Sequence, residues 1–276
     1  MLAALWLAAT VAVGETATDR VAEGDRAYAQ RAEGASGAIA DPARIEPALV
    51  AYRAALNLDP DLVSARSGLL RALFFRGGFC NESGAVQKKT FDEAKELAEE
   101  SIRRLEKRAK ESRLPKLDAL RAIPGAAALY FWSGVAWGQW SLDHKMAAVW
   151  QGAAGKLRDY GEAAAALEPS YNEGSPFLLL GRLHVDSPKV PFVTGFVSRT
   201  KGLAYLRRAL EIAPDNTAGQ FFLAEAIFEH EPGSRDEAIR LLTKCAESVP
   251  RAEFLVEDRH YVEQARQQLA SLPPAP

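Results

Sequence analysis

Four histidines and two cysteines are the side chains of this sequence best suited to metal binding or nucleophilic attack. The histidines lie far apart in the chain, at His144, His184, His230 and His260. No two of them have metal-ligand spacing on one helix, and Cys80 and Cys245 form no Cys-x-x-Cys pair. No Ser-His-Asp or Cys-His arrangement and no glycine-rich phosphate loop can be read from the sequence. We therefore expect a non-catalytic protein without a cofactor or a metal site.

The stretch ALYFWSGVAWGQW, from Ala128 to Trp140, concentrates aromatic rings in a short space. Such rings can either pack in a protein interior or line an apolar ligand cavity. The run is too short to cross a bilayer, which requires about 20 apolar residues. At about 100° per residue, Tyr130, Trp137 and Trp140 lie on one side of a helix and Trp132 lies on the opposite side. Both the interior-packing and the cavity interpretation remain open at this point.

The helices that must position these rings repeat along the chain. The phrases AALNLDPD, AAALEPSYN and RALEIAPDN each end a helical pattern at a proline, and KCAESVPRA is a looser copy. The same order of a small, a larger and a small residue precedes most of these prolines. Pro214 and Pro250 are about 36 residues apart, close to the period of about 34 residues of a tetratricopeptide (TPR) unit.

The partner helix of a TPR unit has the spacing W-x2-L-G-x2-Y, in which the glycine permits close helix approach. Two segments match it well: Phe177, Leu180, Gly181 and His184, and Tyr130, Ser133, Gly134 and Trp137. A third segment shares only the frame: Ser67, Leu70, Arg71 and Phe74. These matches assign packing roles to Tyr130, Trp137 and His184. Trp132 and Trp140 are therefore the better candidates for a cavity wall.

These patterns predict an all-α fold of TPR-like, stacked antiparallel helical hairpins, which is an α-solenoid, with elongated middle helices. The elongated helices are those at 90–113 and 145–168. No segment has a convincing strand pattern. The predicted helices cover residues 17–32, 43–58, 61–76, 90–113, 115–122, 125–142, 145–168, 175–185, 199–212, 216–230, 234–248 and 255–271.

The N-terminus predicts export. Residues 2–14, LAALWLAATVAVG, are apolar and uncharged, which suits the core of a signal peptide over 1–14; the alternative is an N-terminal helix packed on the body. Residues 15–276 are predicted to form a single helical domain whose tail, 273–276, is disordered. No cysteine follows the apolar run, so the sequence does not support membrane tethering through a lipid. A net charge of −2 indicates no nucleic-acid partner.

Two loops are further candidates for a site. The loop VDSPKVPFVTGFVSRT after His184 is long and apolar, so it must cover either its own protein or a partner. The segment PSYNEGSP can serve as a helix start, with Ser175 as N-cap, or can place polar groups at a cavity mouth. We therefore assign eight residues to a possible ligand cavity: Tyr130, Trp132, Trp137, Trp140, Tyr171, Asn172, Phe192 and Phe196.

The order of several segments resembles a known family. YFWSGVAWGQW, a helix, ALEPSYNEGSPFLLLGRLHVDSP, a Pro/Gly loop and YLRRALEIAPDNTAGQFFLAEAIF follow one another as in the TRAP-transporter-associated TPR family (TatT-like proteins). The similarity covers roughly residues 45–272. It implies a periplasmic, all-helical protein with an internal cavity that acts beside a substrate-binding protein of a TRAP transporter.

We therefore expect a periplasmic binding accessory protein that partners a substrate-binding protein and holds a small hydrophobic ligand in an internal cavity. The alternative is a general TPR scaffold that binds peptides or envelope proteins on a concave groove and has no internal ligand. A continuous cavity beside Trp132, Trp140 and the 185–198 loop favours the first interpretation, and a solid core there excludes it.

Overall fold

The computed structural model describes residues 15–191 and 193–272. The predicted signal peptide, the tail 273–276 and Phe192 lie outside these residues. The described part contains two short 3₁₀ helices, no strand and thirteen α-helices. The α-helices are α1 (Ala17–Ala29), α2 (Pro42–Leu58), α3 (Val63–Phe79), α4 (Gly84–Glu111), α5 (Lys116–Arg121), α6 (Ala126–Asp143), α7 (Lys145–Trp150), α8 (Ala153–Leu167), α9 (Tyr171–Asp186), α10 (Arg199–Ile212), α11 (Thr217–His230), α12 (Arg235–Glu247) and α13 (Leu255–Ser271).

The long helices pack as five consecutive hairpins. They are α1 with α2, α3 with α4, α6 with α8, α9 with α10, and α11 with α12. Short helices α5 and α7 lie in the connections, and α13 follows the fifth hairpin as a single helix. The predicted all-α stack of antiparallel hairpins is therefore confirmed.

The middle of the chain follows the prediction in part. Helix α4 has 28 residues and is the elongated helix expected there. The second predicted long helix, 145–168, is wrong, because α7 ends at Trp150 and α8 begins at Ala153. Gly152 separates them with φ 67°, a left-handed conformation that favours glycine and interrupts a right-handed helix.

Small residues let the helices approach closely, as the repeat spacing predicted. A Cβ on Gly181 would lie 2.6 Å from Leu206 of α10, and one on Gly202 would lie 2.6 Å from Val185 of α9. In α3 the close-packed residue is Gly68, against the buried Tyr52 ring, rather than Arg71 three positions later. The frame predicted for α3 is therefore shifted by three residues.

The stack has two apolar cores, and α13 joins them. One core runs from α1 to α8, and the second is formed by α9 to α13. Val256 of α13 belongs to the first core, whereas Ala265 of the same helix belongs to the second. The last helix therefore packs on both ends of the described chain. None of the described helices has the length and apolar character needed to cross a membrane.

Two glycine substitutions test the close packing. We expect Gly181→Ala to lower the free energy of unfolding by about 1–3 kcal/mol, because its methyl group overlaps Leu206. Gly138→Ala in α6 is the matched control: its nearest atom would be Leu157 Cδ2 at 3.5 Å, an ordinary contact. Gly138→Ala should raise the free energy of unfolding by up to about 1 kcal/mol, because alanine has a higher helix propensity than glycine. Urea denaturation measures both, and equal effects would contradict the packing described.

Candidate ligand-binding cavity

A cavity of about 1490 Å³ lies inside the helical stack. Its walls are supplied by the first helix of each hairpin, namely α1, α3, α6, α9 and α11, together with α13. Helix α7, the start of α8 and the segment after α9 complete the lining, whereas α2, α4, α10 and α12 contribute no residue. The inner face of the solenoid is therefore the face that surrounds the cavity.

Helix α13 returns to the N-terminal hairpins and adds a further wall to the cavity, which stays partly open. Arg31, in the turn that follows α1, donates from Nη2 to Glu257 Oε1 at 2.7 Å and to the carbonyl oxygen of Glu253 at 2.5 Å. The Phe79 and His260 rings meet edge to face at 5.7 Å. Arg31 is 4% exposed, so its pairing with Glu257 occurs in a region with little water. We call this set of contacts the α13 closure.

Trp132 forms one aromatic wall of the cavity with Phe74 and Phe131. The ring centroids of Phe74 and Phe131 lie 5.6 and 4.8 Å from that of Trp132. The indole Nε1 of Trp132 donates to the Tyr171 hydroxyl at 2.9 Å. Burial raises the pKa of Tyr171, so this hydroxyl is neutral at physiological pH. The polar atom of Trp132 is thus satisfied outside the cavity, and its ring presents apolar surface to the cavity.

A second aromatic wall comes from α11 and α13. Phe221, Phe222 and Tyr261 lie together, with centroid distances of 5.9 and 5.1 Å from the two phenylalanines to the tyrosine. The Arg182 guanidinium covers the Phe222 ring at 4.4 Å. Burial raises the pKa of Tyr261 to about 12. Two neutral aromatic surfaces therefore contribute to the lining of the cavity.

The charged side chains of the lining are largely paired with one another. Arg182 binds Asp186 at 2.7 Å and Glu225 at 2.8 Å, and Arg71 binds Asp25 at 3.1 Å. Burial raises the pKa of Asp186, although Arg182 acts in the opposite direction. Because these arginines have carboxylate partners, the cavity does not attract a ligand chiefly by net charge.

Arg251 connects three helices at the edge of the cavity. Its Nε and Nη2 each lie 2.9 Å from a carboxylate oxygen of Asp258, and its Nη1 lies 2.5 Å from Glu173 Oε1. Thr217 donates its hydroxyl to Asp258 Oδ1 at 2.7 Å. Burial alone raises the pKa of Asp258, but the hydrogen bonds from Arg251 and Thr217 outweigh it and hold that pKa below its ordinary value.

The turn that leads into α9 is held by this arrangement. Asn172, Glu173 and Gly174 have φ values of 44°, 61° and 76°, and two left-handed non-glycine residues in succession are strained. Glu173 is held by Arg251 and accepts from Asn216 Nδ2 at 2.8 Å. The predicted N-cap is wrong, because Ser175 Oγ donates to the Asn172 carbonyl instead.

Of the eight residues proposed for the cavity, the structure brings Trp132 and Asn172 into its lining. Tyr171 lies directly behind Trp132 and fixes its indole. Part of the loop after α9 also lines the cavity, at Pro188, Val190, Val193 and Thr194. Phe192, which belongs to the same loop, lies outside the described residues.

Three of the proposed residues, all on α6, lie elsewhere and do not line this cavity. Tyr130 donates its hydroxyl to Glu106 of α4 at 3.2 Å. Trp137 is fully buried between α4 and α8, with Lys156 Nζ 3.9 Å from its ring centroid. Trp140 donates to Asp92 of α4 at 3.0 Å and stacks on His144. Trp140 was expected at the cavity, but its face of α6 points to α4 rather than inward.

Phe196 also lies outside the cavity lining. Its ring meets His184 edge to face at 5.9 Å and carries the Arg158 guanidinium at 4.6 Å. His184 itself is buried, accepts from the backbone N–H of Ser198 at Nδ1, and has a pKa lowered by burial. It is a packed histidine, as its repeat position predicted.

Sequence reasoning did not find the arginines of the cavity. Arg71 occupies, three residues after Gly68, the position of the rings Trp137 and His184 in the other first helices. A charged residue at a position where the other repeats have a ring could have indicated that Arg71 faces the cavity. It was missed because the repeat spacing in α3 was aligned three residues too late. Arg31, Arg182 and Arg251 have no comparable sequence signal, because their partners come from distant helices.

The cysteines and histidines form no reactive centre in the described part of the chain. Cys80 and Cys245 are free thiols, and burial raises the pKa of each to about 12. Within residues 15–191 and 193–272, no group of three or more His, Cys, Asp or Glu side chains has the arrangement of a metal site.

Comparison with known proteins gives limited similarity. No family model matches the sequence, and no curated protein matches it. A solved structure described as the crystal structure of MamA protein is similar over 95% of this chain and 100% of that chain. The sequence identity is 16% and the TM-score is 0.44, a level that supports no functional inference.

The Asp258 contacts predict a dependence of stability on pH. A carboxylate with a lowered pKa in the folded state stabilises the protein above its unfolded pKa, and this contribution disappears as pH falls through the folded pKa. The free energy of unfolding should therefore decrease as the pH is lowered below about 4. Asp258→Asn should cost about 3 kcal/mol at pH 7, because it leaves Arg251 without its buried partner.

The Asp258→Asn variant should also show a flatter acid dependence than the wild type. Exposed Asp118→Asn is the matched control and should keep both the stability and the acid dependence of the wild type. Urea denaturation between pH 2 and pH 7 measures the three proteins. Parallel curves for wild type and Asp258→Asn would contradict the assignment.

Proposed function

We propose that this protein is an exported, non-catalytic binding protein that holds a small ligand with a large apolar or aromatic body in its central cavity. The cavity of about 1490 Å³, with its two aromatic walls, is the observation that carries the proposal. Ligand pockets commonly have about 300–1,000 Å³, so this cavity has room for an elongated ligand or a ligand with water.

The ligand has a polar end as well as an apolar body. Two buried polar atoms of the lining residues, Arg71 Nε and Glu257 Oε2, have no hydrogen-bond partner within the described residues. A buried donor or acceptor without a partner is costly, so a ligand group that bonds to either atom would gain affinity. Most of the other charged side chains of the lining are paired with one another, which favours a ligand that is neutral over most of its length.

The protein acts beside a protein partner, which we propose is a periplasmic substrate-binding protein of a TRAP-type transporter. Stacked helical hairpins present extended surfaces for protein binding, and the resemblance in segment order supports this class of partner. Affinity capture from the periplasm of the source cells tests the proposal. Recovery of a TRAP substrate-binding protein supports it, and repeated recovery of unrelated envelope proteins alone contradicts it.

A general scaffold with an open groove and no internal ligand is the alternative. The α13 closure disfavours it, because α13 covers part of the inner face on which a bound peptide would lie. The outer faces of the second helices remain available to protein partners in either case.

Binding of the neutral dye N-phenyl-1-naphthylamine tests the ligand proposal. We expect saturable dye fluorescence with wild-type protein, accompanied by quenching of tryptophan emission, because Trp132 is part of the cavity wall. Gly138→Phe should weaken binding at least about tenfold, since the added ring enters the cavity and removes contact area worth more than 1.4 kcal/mol.

Gly84→Phe is the matched control for this experiment. Gly84 begins α4 outside the cavity, and a Cβ there meets no atom within 4 Å. This variant should bind the dye as the wild type does. No saturable binding by the wild type, or equal binding by both variants, would sink the proposal of a ligand cavity.

A further inference from the structure

A second pocket, of about 530 Å³, lies between α3, α4 and the start of α6. It shares no lining residue with the central cavity. Its lining includes five basic side chains, Arg66, Arg103, Arg104, Lys107 and Arg108. Only two acidic side chains, Asp61 and Glu111, belong to the same lining.

Arg66 at this pocket is a buried cation without a carboxylate partner in the described residues. The residue is 5% exposed. Its Nε donates to the Pro60 carbonyl at 2.7 Å and its Nη1 donates to Ser101 Oγ at 3.0 Å, and both acceptors are neutral. A buried charge without a counter-ion is expensive, so a structural role alone does not explain a guanidinium here.

The repeat itself shows that this position does not need a charge. Six residues after Pro214, the buried Gln220 donates from Nε2 to the Pro214 carbonyl at 2.8 Å. Arg66 makes the same contact six residues after Pro60. A neutral amide therefore supplies the structural hydrogen bond in α11, and the positive charge of Arg66 is additional to that role.

Two carboxylates near the pocket, Asp61 and Glu100, are already engaged. Arg104 binds Asp61 at 2.7 Å and also pairs with Glu100, which Arg103 contacts as well. The hydrogen bond from Arg104 lowers the pKa of Asp61. Lys107 and Arg108 have no carboxylate within ion-pair distance among the described residues. Glu111, the second acidic residue of the lining, forms no ion pair among the described residues. The positive charge of Arg66, Lys107 and Arg108 therefore exceeds the unengaged negative charge of the pocket.

We propose that this pocket binds a multiply charged oxyanion of the phosphate class, with Arg66 at its buried end and Lys107 and Arg108 at its rim. Guanidinium groups match the oxygen geometry of phosphate, and a lysine adds a point charge. The bound anion supplies the negative charge that no carboxylate among the described residues provides to Arg66. This proposal is independent of the ligand proposed for the central cavity.

Thermal unfolding with and without anion tests the proposal. The first probe, inorganic phosphate, represents a free anion. The second, glycerol 3-phosphate, represents the phosphoryl group of a larger molecule. Each is compared with sodium chloride at equal ionic strength. We expect at least one probe at about 10 mM to raise the melting temperature of the wild type by about 2 °C or more, through preferential binding to the folded state.

Arg66→Gln introduces into α3 the same residue type as Gln220, which occupies the equivalent repeat position in α11. This variant should lose the rise in melting temperature. Without anion it should melt no lower than the wild type, since the hydrogen bond to Pro60 is kept and the unpaired charge is removed.

The variant Lys107→Gln/Arg108→Gln, at exposed positions, should reduce the rise in melting temperature without affecting folding. Arg240→Gln, outside the pocket, is the control and should keep it. The proposal is overturned if neither probe stabilises the wild type beyond chloride, or if Arg66→Gln is stabilised equally.

Discussion

The contact between the last helix and the first hairpin is the constraint on which the rest of this structure depends. A stack of helical hairpins ordinarily leaves its inner face open along its length. Here Arg31 binds Glu257 and the Glu253 carbonyl, and Val256 joins the core of the N-terminal half. These contacts bring the two ends of the array together. They convert a concave surface into a partly enclosed cavity.

The composition of that cavity follows from the position of the first helices. Each first helix buries one side against its partner and presents another side inward, so the inward residues are free to be aromatic or charged. Trp132 is satisfied by Tyr171 from behind, and Arg182 is satisfied by Asp186 and Glu225. The resulting surface combines apolar rings with charges that are mostly paired within the protein.

Sequence periodicity predicted the helices and their pairing because these depend on local spacing and on close-packed glycines such as Gly181. It did not predict the break at Gly152, since a left-handed residue inside an otherwise helical pattern leaves little trace in composition. Among the candidate rings, the helical periodicity correctly separated Trp132 from Trp137. It could not show that the face carrying Trp140 meets α4, because that depends on how neighbouring hairpins rotate. The ion pairs of Arg31 and Arg251 join residues distant in sequence and were not predictable.

The central claim is that the helical array closes on itself, and a distance measurement tests it most directly. Spin labels at Ser36 and Glu263 would report the gap between the first hairpin and α13, in a Cys80→Ala background where buried Cys245 does not react. We expect a short, narrow distance distribution in the wild type, because Glu263 lies against Gly37. We expect a broader and longer distribution when Arg31→Met removes the pairing with Glu257. A long, broad distribution already present in the wild type would contradict the closure and with it the cavity.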